Sequence, residues 1–248
     1  MPHNEPSDHP MTMPTPPRLL IMLCTYNERQ NLETLIPEIF AQVPAANVLV
    51  IDDNSPDGTG SCVDEMAASD SRIHALHRPG KLGLGTATVA GFRYAIDQNY
   101  DLVVNLDADW SHPPRFIPSL LAAIDEADVV IGSRYVSGGS VTNWPWTRQL
   151  MSWALNCYAR TVLGLTTRDN SGSFRCYRVS QLRKVDWSRI RASGYAIEEE
   201  ILFRLKRCGA RMVEVPISFE ERKFGETKLR MSEAVSAGWV LLQLRLRG

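Results

Sequence analysis

Short apolar segments alternate with amphipathic segments along the first half of the chain. The apolar segments are typical of buried strands and cover residues 19–24, 47–53, 73–77, 101–109 and 128–134. Helical spacing of apolar residues separates them at about 32–41, 61–69, 83–99 and 114–125. Because strands that alternate with helices form parallel sheets, and strands without a polar face are covered on both sides, the pattern predicts an α/β fold. We expect a mostly parallel sheet with helices on both faces.

The pattern is less regular after residue 135. It predicts a loop over 137–147, a helix over 147–164, a strand over 174–179, a helix over 197–207, a strand over 212–219 and a helix over 229–246. No internal repeat or linker interrupts the chain. We therefore predict one domain over 18–228, followed over 229–248 by an amphipathic helix that belongs to the same domain or lies at an interface.

The N-terminal 17 residues and the overall composition restrict the class of protein. The segment MPHNEPSDHPMTMPTPP has no apolar core of the kind that signal peptides need, and we predict a disordered tail over 1–17. The longest apolar run, AVSAGWVLLQL, is shorter than the roughly 20 residues that span a bilayer. A net charge of −1 gives no reason to expect nucleic acid as a partner. The five cysteines form no CxxC pair, which favours a reducing compartment.

Polar side chains follow four of the predicted strands. In an open parallel sheet, ligands bind beyond the carboxyl ends of the strands, so residues that follow different strands share one edge. These residues are Tyr26, Asn27, Glu28, Asp52, Asp53, Asn54, Asp57, Asp107, Asp109, Ser133 and Arg134. The sequence therefore predicts a polar ligand site at this edge.

The run VVNLDAD ends in two carboxylates, Asp107 and Asp109, at positions i and i+2. Mg²⁺ and Mn²⁺ prefer oxygen ligands and commonly complete their shell with substrate phosphates. The alternative for an isolated DxD is a solvated acidic turn, and the neighbouring Asp52 and Asp53 favour the metal site. The chain has neither GxGxxG nor GxxxxGK[ST], so a dinucleotide fingerprint and a P-loop are both excluded.

Basic residues near glycines supply candidate anion contacts. RPGKLGLGTA (78–87) opens a helix whose first N–H groups suit an anion, with Lys81 beside them. The second half of the chain adds Arg134, Arg148, Arg175, Arg222 and Lys228. Arginine suits phosphate oxygens, although any one of these residues is equally suited to a surface ion pair. The glutamates of GYAIEEE (194–200) are interpreted mainly as first-turn acids that complement the helix dipole, and the alternative is that one of them faces the site.

Several motifs together resemble the family 2 glycosyltransferases, and in particular the dolichyl-phosphate (polyprenyl-phosphate) mannosyltransferase branch. They are CTYNE, IDDNSPDGT, KLGLGTA, LDADWSHPP, GSRYVSGG, WPWTRQLMS, DNSGSFRCY, GYAIEEE and VPISFEERKFGETKL. The resemblance covers residues 18–243. It implies a GT-A fold for the catalytic domain, with transfer of mannose from GDP-mannose to dolichyl or polyprenyl phosphate, inversion at the anomeric carbon, and dependence on Mg²⁺ or Mn²⁺.

The resemblance also implies roles for individual residues. It assigns the metal to Asp107, Asp109 and Ser111, the acceptor phosphate to Arg134, Arg148 and Ser152, and catalysis to Asp109, Arg134 and Arg148. Donor contacts are implied at Cys24, Tyr26, Glu28, Ile51, Asp52, Asp53, Lys81, Asp107, Ala108, Asp109, Arg134, Arg222 and Lys228. This chain departs from the family pattern at Cys24, where proline is usual, and at Glu198, where glutamine is usual.

The acceptor implied by the resemblance needs no strong general base. A phosphate monoester has a second pKa of about 6, so it is largely ionised at neutral pH and can attack the sugar directly. A lipid-linked acceptor also implies a membrane surface as partner and a peripheral location at the cytoplasmic face of a membrane, and it makes a membrane-anchoring subunit a candidate partner. WPWT (144–147) and an apolar face on the last helix are candidate membrane contacts, the latter formed by Met231, Val235, Trp239, Leu242 and Leu246.

Three other functions fit parts of the pattern. A polyprenyl-phosphate glucosyltransferase would use UDP-glucose with the same site. A non-catalytic nucleotide-sugar-binding subunit would not need both the metal pair and the acceptor arginines. A nucleotidyltransferase would be expected to have a basic, glycine-rich first loop, whereas this loop carries Tyr26 and Glu28.

Overall fold

The computed structural model describes residues 16–192, 194, 196–220 and 231–247. In these residues, seven strands form one sheet in the order β3-β2-β1-β4-β7-β5-β8, and β6 pairs with β9 in a separate two-stranded sheet. The strands are β1 (Leu19–Thr25), β2 (Asn47–Asp52), β3 (Ile73–His77), β4 (Leu102–Asp107), β5 (Val129–Ser133), β6 (Ser140–Val141), β7 (Arg175–Arg178), β8 (Met212–Pro216) and β9 (Ser218–Phe219).

The main sheet is parallel except at β7. That strand lies antiparallel between β4 and β5, whereas the other neighbours in the sheet run in the same direction. The mostly parallel sheet predicted from the alternation of strands and helices is therefore confirmed. Cys24 is in register with Ile51 on one side and with Asp107 on the other, so the ends of three strands meet at one edge.

Helices cover both faces of the sheet, as predicted. One face packs against α1, α2 and α4, and the other against α3, α5, α6, α7 and α8. Alternate residues of β1 explain the division, since Leu20 and Met22 join one core and Ile21 and Leu23 join the other. The helices are α1 (Arg29–Gln42), α2 (Thr59–Ser69), α3 (Leu84–Asp97), α4 (Ile117–Ala123), α5 (Trp146–Leu163), α6 (Val179–Leu182), α7 (Ile197–Arg207) and α8 (Met231–Arg247).

The last helix, α8, packs onto the core that contains Leu20 and Met22. Leu241 and Leu244 of α8 are buried there, and the Tyr158 hydroxyl of α5 donates a hydrogen bond of 3.2 Å to the carbonyl of Gly238. Trp239 and Leu246 are exposed on the same helix. The helix therefore packs against the core and also presents two apolar side chains to solvent, whereas the side chains of Met231 and Val235, which belong to the predicted apolar face, lie outside the described residues.

The predicted strand over 212–219 is wrong in one respect, since it divides into two strands of different sheets. β8 ends at Pro216, which has no N–H for a further ladder bond. Ile217 is buried, and its N–H donates to the Ser133 carbonyl over 3.1 Å. β9 then pairs with β6, which lies within the segment predicted as a loop. The predicted helix over 114–125 is likewise shorter, with a 3₁₀ turn at each end.

Candidate active site

The strand predicted over 101–109 ends at Asp107, and Asp109 lies in the turn that follows. We call residues 107–112 the acidic turn. The Asp109 Oδ1 accepts a hydrogen bond of 3.0 Å from the Ser111 N–H, and the His112 Nδ1 accepts one of 3.1 Å from the Asp107 N–H. Trp110 has φ of +70°, a left-handed conformation that is strained for an aromatic residue. Strained backbone held by side-chain bonds is typical of functional turns.

The two carboxylates of the acidic turn differ in exposure. The Asp107 side chain is 39 % exposed, and its Oδ1 accepts a hydrogen bond of 2.7 Å from the Ser173 hydroxyl. Asp109 is buried. The Ser111 Oγ is also buried and has no hydrogen-bond partner among the described residues, which is unusual for a buried polar atom.

These groups fit a divalent cation that shares its shell with a ligand. In the described part of the chain, no three His, Cys, Asp or Glu side chains are grouped closely enough to hold a metal. Mg²⁺ is commonly held by only one or two carboxylates together with phosphate oxygens and water. Asp107 and Asp109 supply two carboxylates, and the unsatisfied Ser111 Oγ lies in the same turn. The arrangement therefore suits a cation that arrives with a diphosphate.

Asp52 and Asp53 mainly organise the neighbouring loops. Asp52 accepts hydrogen bonds from the Thr25 hydroxyl over 3.3 Å and from the Ser55 N–H over 3.1 Å. Asp53 forms an ion pair of 2.5 Å with Arg78 and accepts hydrogen bonds from the N–H groups of residues 82 and 83. Both predicted donor contacts thus lie at the expected edge, with carboxylates already engaged by the protein.

The other predicted donor residues lie around this edge. The Lys81 ammonium is 4.0 Å from the centre of the Tyr26 ring, and the Glu28 Oε2 accepts a hydrogen bond of 2.7 Å from Asn31. Ile51 and Ala108 are buried in the core. Burial also raises the pKa of the Cys24 thiol to about 12, so this group is neutral at physiological pH. Arg222 and Lys228 lie outside the described residues.

Arg134 is held by a buried aspartate that sequence reasoning did not single out. Its Nε and Nη2 each lie 2.7 Å from an oxygen of Asp169, and its N–H donates to the same carboxylate over 2.9 Å. Nη2 also donates to the Ser171 hydroxyl over 3.0 Å. Burial opposes the charged form of Arg134, but the adjacent Asp169 carboxylate outweighs it and raises the Arg134 pKa. The guanidinium is therefore permanently charged and fixed in direction.

Arg148 and Ser152, predicted with Arg134 for the acceptor phosphate, lie nearby on α5. The Arg148 guanidinium is 3.8 Å from the Trp144 ring centre, and the Arg134 guanidinium is 5.7 Å from the same ring. The Ser152 Oγ accepts a hydrogen bond of 2.7 Å from the Tyr135 hydroxyl. The three predicted residues thus surround a pair of aromatic rings.

Arg175 was a candidate phosphate contact, and the structure contradicts that interpretation. Its side chain is fully buried and donates to the carbonyls of Asn170 and Glu198 over 2.6 and 2.8 Å. It also forms a 3.0 Å ion pair with the Glu198 carboxylate. Arg175 lies on the same face of β7 as Tyr177, to whose hydroxyl its Nη1 donates over 3.4 Å, so it supports the site from within the fold.

The glutamates of α7 are buried, unlike the solvated acids of an ordinary first turn. Glu200 accepts hydrogen bonds from the N–H groups of residues 191 and 192 and pairs with Arg204. Burial raises the pKa of Glu198 to about 7 and that of Glu199 to about 8. The Glu199 Oε2 has no hydrogen-bond partner among the residues that the structure describes.

Glu199→Gln should change how stability depends on pH. Between the ordinary glutamate pKa and about 8, the unfolded chain has lost a proton that folded Glu199 retains. The free energy of unfolding therefore falls as pH rises through this range. Glutamine removes that loss, so the variant should gain melting temperature relative to the parent from pH 5 to pH 8. Exposed Glu126→Gln is the control, and a pH-independent difference for Glu199→Gln would contradict the argument.

Comparisons with known proteins identify the family of this chain. The family model described as glycosyl transferase family 2 matches residues 20–186. An undecaprenyl-phosphate mannosyltransferase of Micrococcus luteus is 44 % identical over 240 residues, 92 % of this chain and 99 % of the relative. A polyprenol monophosphomannose synthase of Mycolicibacterium smegmatis is 40 % identical over 243 residues, 97 % of this chain and 92 % of the relative.

Solved structures resemble the fold at lower identity. The glucosyl-3-phosphoglycerate synthase of Mycobacterium tuberculosis, crystallised with Mn²⁺, UDP and glucosyl-3-phosphoglycerate, superposes with a TM-score of 0.64 and 19 % identity. The similarity covers 93 % of this chain and 79 % of that one. It supports the predicted GT-A fold. On the family match and the two close relatives, this chain belongs to glycosyl transferase family 2, in its polyprenyl-phosphate mannosyltransferase branch.

Proposed function

We propose that this chain transfers mannose from GDP-mannose to a polyprenyl phosphate, with inversion and with Mg²⁺ or Mn²⁺. The observation that carries the proposal is that residues 169–173 contact both Arg134 and the Asp107 carboxylate, the two groups that we assign to the acceptor phosphate and to the metal with the donor diphosphate. Asp169 fixes Arg134 at one end of this segment, and Ser173 donates to the Asp107 carboxylate at the other. A metal–diphosphate centre and an arginine centre at one edge suit a reaction between two phosphate-bearing substrates. The names of the two close relatives support the mannosyl group and the polyprenyl-phosphate acceptor.

The acidic turn is assigned to the donor. Asp107, Asp109 and Ser111 would hold a divalent cation, which neutralises a departing diphosphate when bound. The ring of Tyr26 with Lys81 above it offers a cationic, aromatic surface beside the same edge. We assign that surface to the nucleotide, because a flat aromatic group suits a base and an ammonium suits a phosphate oxygen.

The arginine centre is assigned to the acceptor. Nε and Nη2 of Arg134 already bind Asp169 and Ser171, so Nη1 is the nitrogen that we assign to the acceptor phosphate. Arg148 supplies a second positive charge, and Ser152 a hydroxyl, from α5. An ionised phosphate held opposite the leaving diphosphate attacks the sugar in one displacement, which inverts the anomeric configuration. Its own charge makes a protein base unnecessary.

Radiolabel transfer tests this function. The full chain is incubated with a short polyprenyl phosphate, Mn²⁺ or Mg²⁺, and labelled GDP-mannose, UDP-glucose or UDP-N-acetylglucosamine. We expect label in the organic phase from GDP-mannose, with loss of transfer when EDTA is added. Transfer from UDP-glucose alone would instead identify the glucosyltransferase alternative. Nucleotide-sugar binding without transfer would favour the non-catalytic alternative and contradict the proposal.

A membrane surface is the proposed location of the acceptor. In the described residues no helix is both long and apolar enough to cross a bilayer. However, Trp146, Leu150 and Trp153 lie at helical spacing on α5 and are 73 %, 53 % and 54 % exposed. Arg148 and Ser152 belong to the same helix turns. We assign this exposed face, with Trp239 of α8, to the cytoplasmic surface of a membrane, which would bring a lipid phosphate to its arginines.

Trp146→Ser with Trp153→Ser should weaken binding to vesicles that contain polyprenyl phosphate. Full burial of a large apolar side chain contributes about 1.5–3 kcal/mol, so each loss should reduce partition by roughly tenfold or more. Vesicle flotation measures the partition. The matched Trp146→Phe, Trp153→Phe protein keeps an apolar face and should retain most of the binding. Equal partition of the serine and phenylalanine proteins would exclude this face.

A further inference from the structure

We infer that His112 is a positioning residue that sets the direction of the Asp107 carboxylate, and through it the affinity for the cation. The inference rests on the proposed metal site. His112 is not one of the residues assigned to metal, donor or acceptor, yet it is buried at the end of the acidic turn. Its contacts connect the first residue of the acidic turn to the aromatic rings packed beside the turn.

The hydrogen bond of His112 fixes the backbone at Asp107. The imidazole Nδ1 accepts from the Asp107 N–H over 3.1 Å and lies 3.6 Å from the Asp107 Oδ2. A nitrogen that accepts an N–H carries a lone pair, so the ring bears its proton on Nε2 and does not pair with the carboxylate. The imidazole thus reaches across the acidic turn and holds the backbone N–H of Asp107.

Two aromatic rings fix the imidazole. The centres of Phe174 and Phe219 each lie 5.2 Å from the centre of the His112 ring, with interplanar angles of 35° and 80°. Phe219 also lies against Trp144, at 5.2 Å between ring centres. A ring packed in this way cannot follow the backbone if the turn rearranges. The acidic turn is therefore constrained from the aromatic side as well as by its own Asp109 bond.

A third contact closes the far side of the turn. The Glu220 N–H donates to the Ser111 carbonyl over 3.1 Å, and the Glu220 carboxylate pairs with Arg115 over 2.6 Å. With this contact in place, the backbone on either side of Trp110 is held at both ends. At the start of the turn, the side chain of His112 supplies an acceptor for the Asp107 N–H. Removing that acceptor should release Asp107 without unfolding the sheet.

Cation affinity should therefore depend on an acceptor at the Nδ1 position. The Oδ1 of His112→Asn can occupy that position, whereas the acceptor of His112→Gln is one bond further along. His112→Phe keeps a ring between Phe174 and Phe219 but has no acceptor. Groups that orient a metal ligand typically change affinity by about 10–100-fold when removed. We expect such weakening in the Phe and Gln variants, and affinity within a few fold of the parent in the Asn variant.

Mn²⁺ binding in the presence of GDP, followed by electron paramagnetic resonance of the free ion, measures this without turnover. His74→Phe, near the amino end of β3 and away from the edge that carries the acidic turn, is the matched control, and melting temperatures establish that each variant is folded. Parental Mn²⁺ affinity in the Phe variant would overturn the inference. Equal weakening in the Asn and Phe variants would also overturn it, since the ring would then matter more than the acceptor. Failure of the parent to bind Mn²⁺ with GDP would contradict the proposed metal site instead.

Discussion

Asp109→Asn is expected to reduce mannosyl transfer by roughly a hundredfold to a thousandfold. A bound cation contributes several kcal/mol to charge stabilisation in such reactions, and each ~1.36 kcal/mol is a factor of ten in rate. The substitution isolates the charge, because the Asn Oδ1 can still accept the 3.0 Å hydrogen bond from Ser111 that holds the acidic turn. Initial rates at saturating GDP-mannose and varied Mn²⁺ give the measurement.

Asp186→Asn is a control for the same hydrogen bond. Asp186 Oδ1 accepts from the Ser188 N–H over 3.1 Å, also two residues along, at the start of a 3₁₀ turn remote from the strand ends. The Asp186→Asn substitution should leave the transfer rate and its dependence on Mn²⁺ concentration unchanged. Asp109→Ala should be worse folded than Asp109→Asn, since it loses the turn bond as well. If Asp109→Asn kept near-parental turnover at low Mn²⁺, the assignment of the cation to this carboxylate would be wrong.

Asp169→Asn should affect both stability and transfer. The Asp169–Arg134 pair is buried, and breaking a buried pair from one side costs about 3–5 kcal/mol because a charge remains unpaired. The asparagine cannot accept both Nε and Nη2 of Arg134 as the carboxylate does. We expect a lower melting temperature and loss of acceptor affinity, seen as a raised KM for polyprenyl phosphate. Denaturant unfolding and steady-state kinetics test the two effects.

A second substitution separates the two effects. Adding Arg134→Met to Asp169→Asn removes the stranded charge, so the double variant should be more stable than Asp169→Asn alone. It should nevertheless transfer no better, because the arginine assigned to the acceptor phosphate is gone. Recovery of transfer together with stability would show that the pair only supports the fold.

The arrangement of strand ends could be read from the sequence, because it depends on local patterns. Apolar runs of five to nine residues predict β1 to β5, and parallel pairing brings the residues after them to one edge. Asp107 and Asp109 follow from the same reasoning. The contacts of these carboxylates do not follow from the local pattern. Ser173 reaches Asp107 from the segment before the antiparallel strand β7, and His112 reaches it across a strained turn. Neither feature has a periodic signal.

Asp169 shows why some residues of the site could not be predicted from the sequence. It stands in TTRDNSGSF, a polar segment that has the composition of a solvated loop. Its complete burial depends on Arg134, 35 positions earlier, and no local pattern links the two. The glutamates of α7 lie in the first helical turn as predicted, but their burial could not be predicted for the same reason, because burial depends on the elements packed over them. One local signal for Asp169 was the group of serine and glycine residues just before the arginine-containing strand β7, which is typical of a loop with a fixed conformation.

The reversed direction of β7 has a consequence for biosynthesis. The residues proposed for the nucleotide and the cation lie mainly within 24–111, in strands joined by short crossovers. The acceptor side needs β7 to enter between β4 and β5, and that requires residues 175–178. Contacts between residues near in sequence form faster than contacts between residues far apart in sequence. We therefore expect β1 to β4 to pair first in the nascent chain, and both the acidic turn and the arginine centre to be completed only after residues 169–178 have emerged.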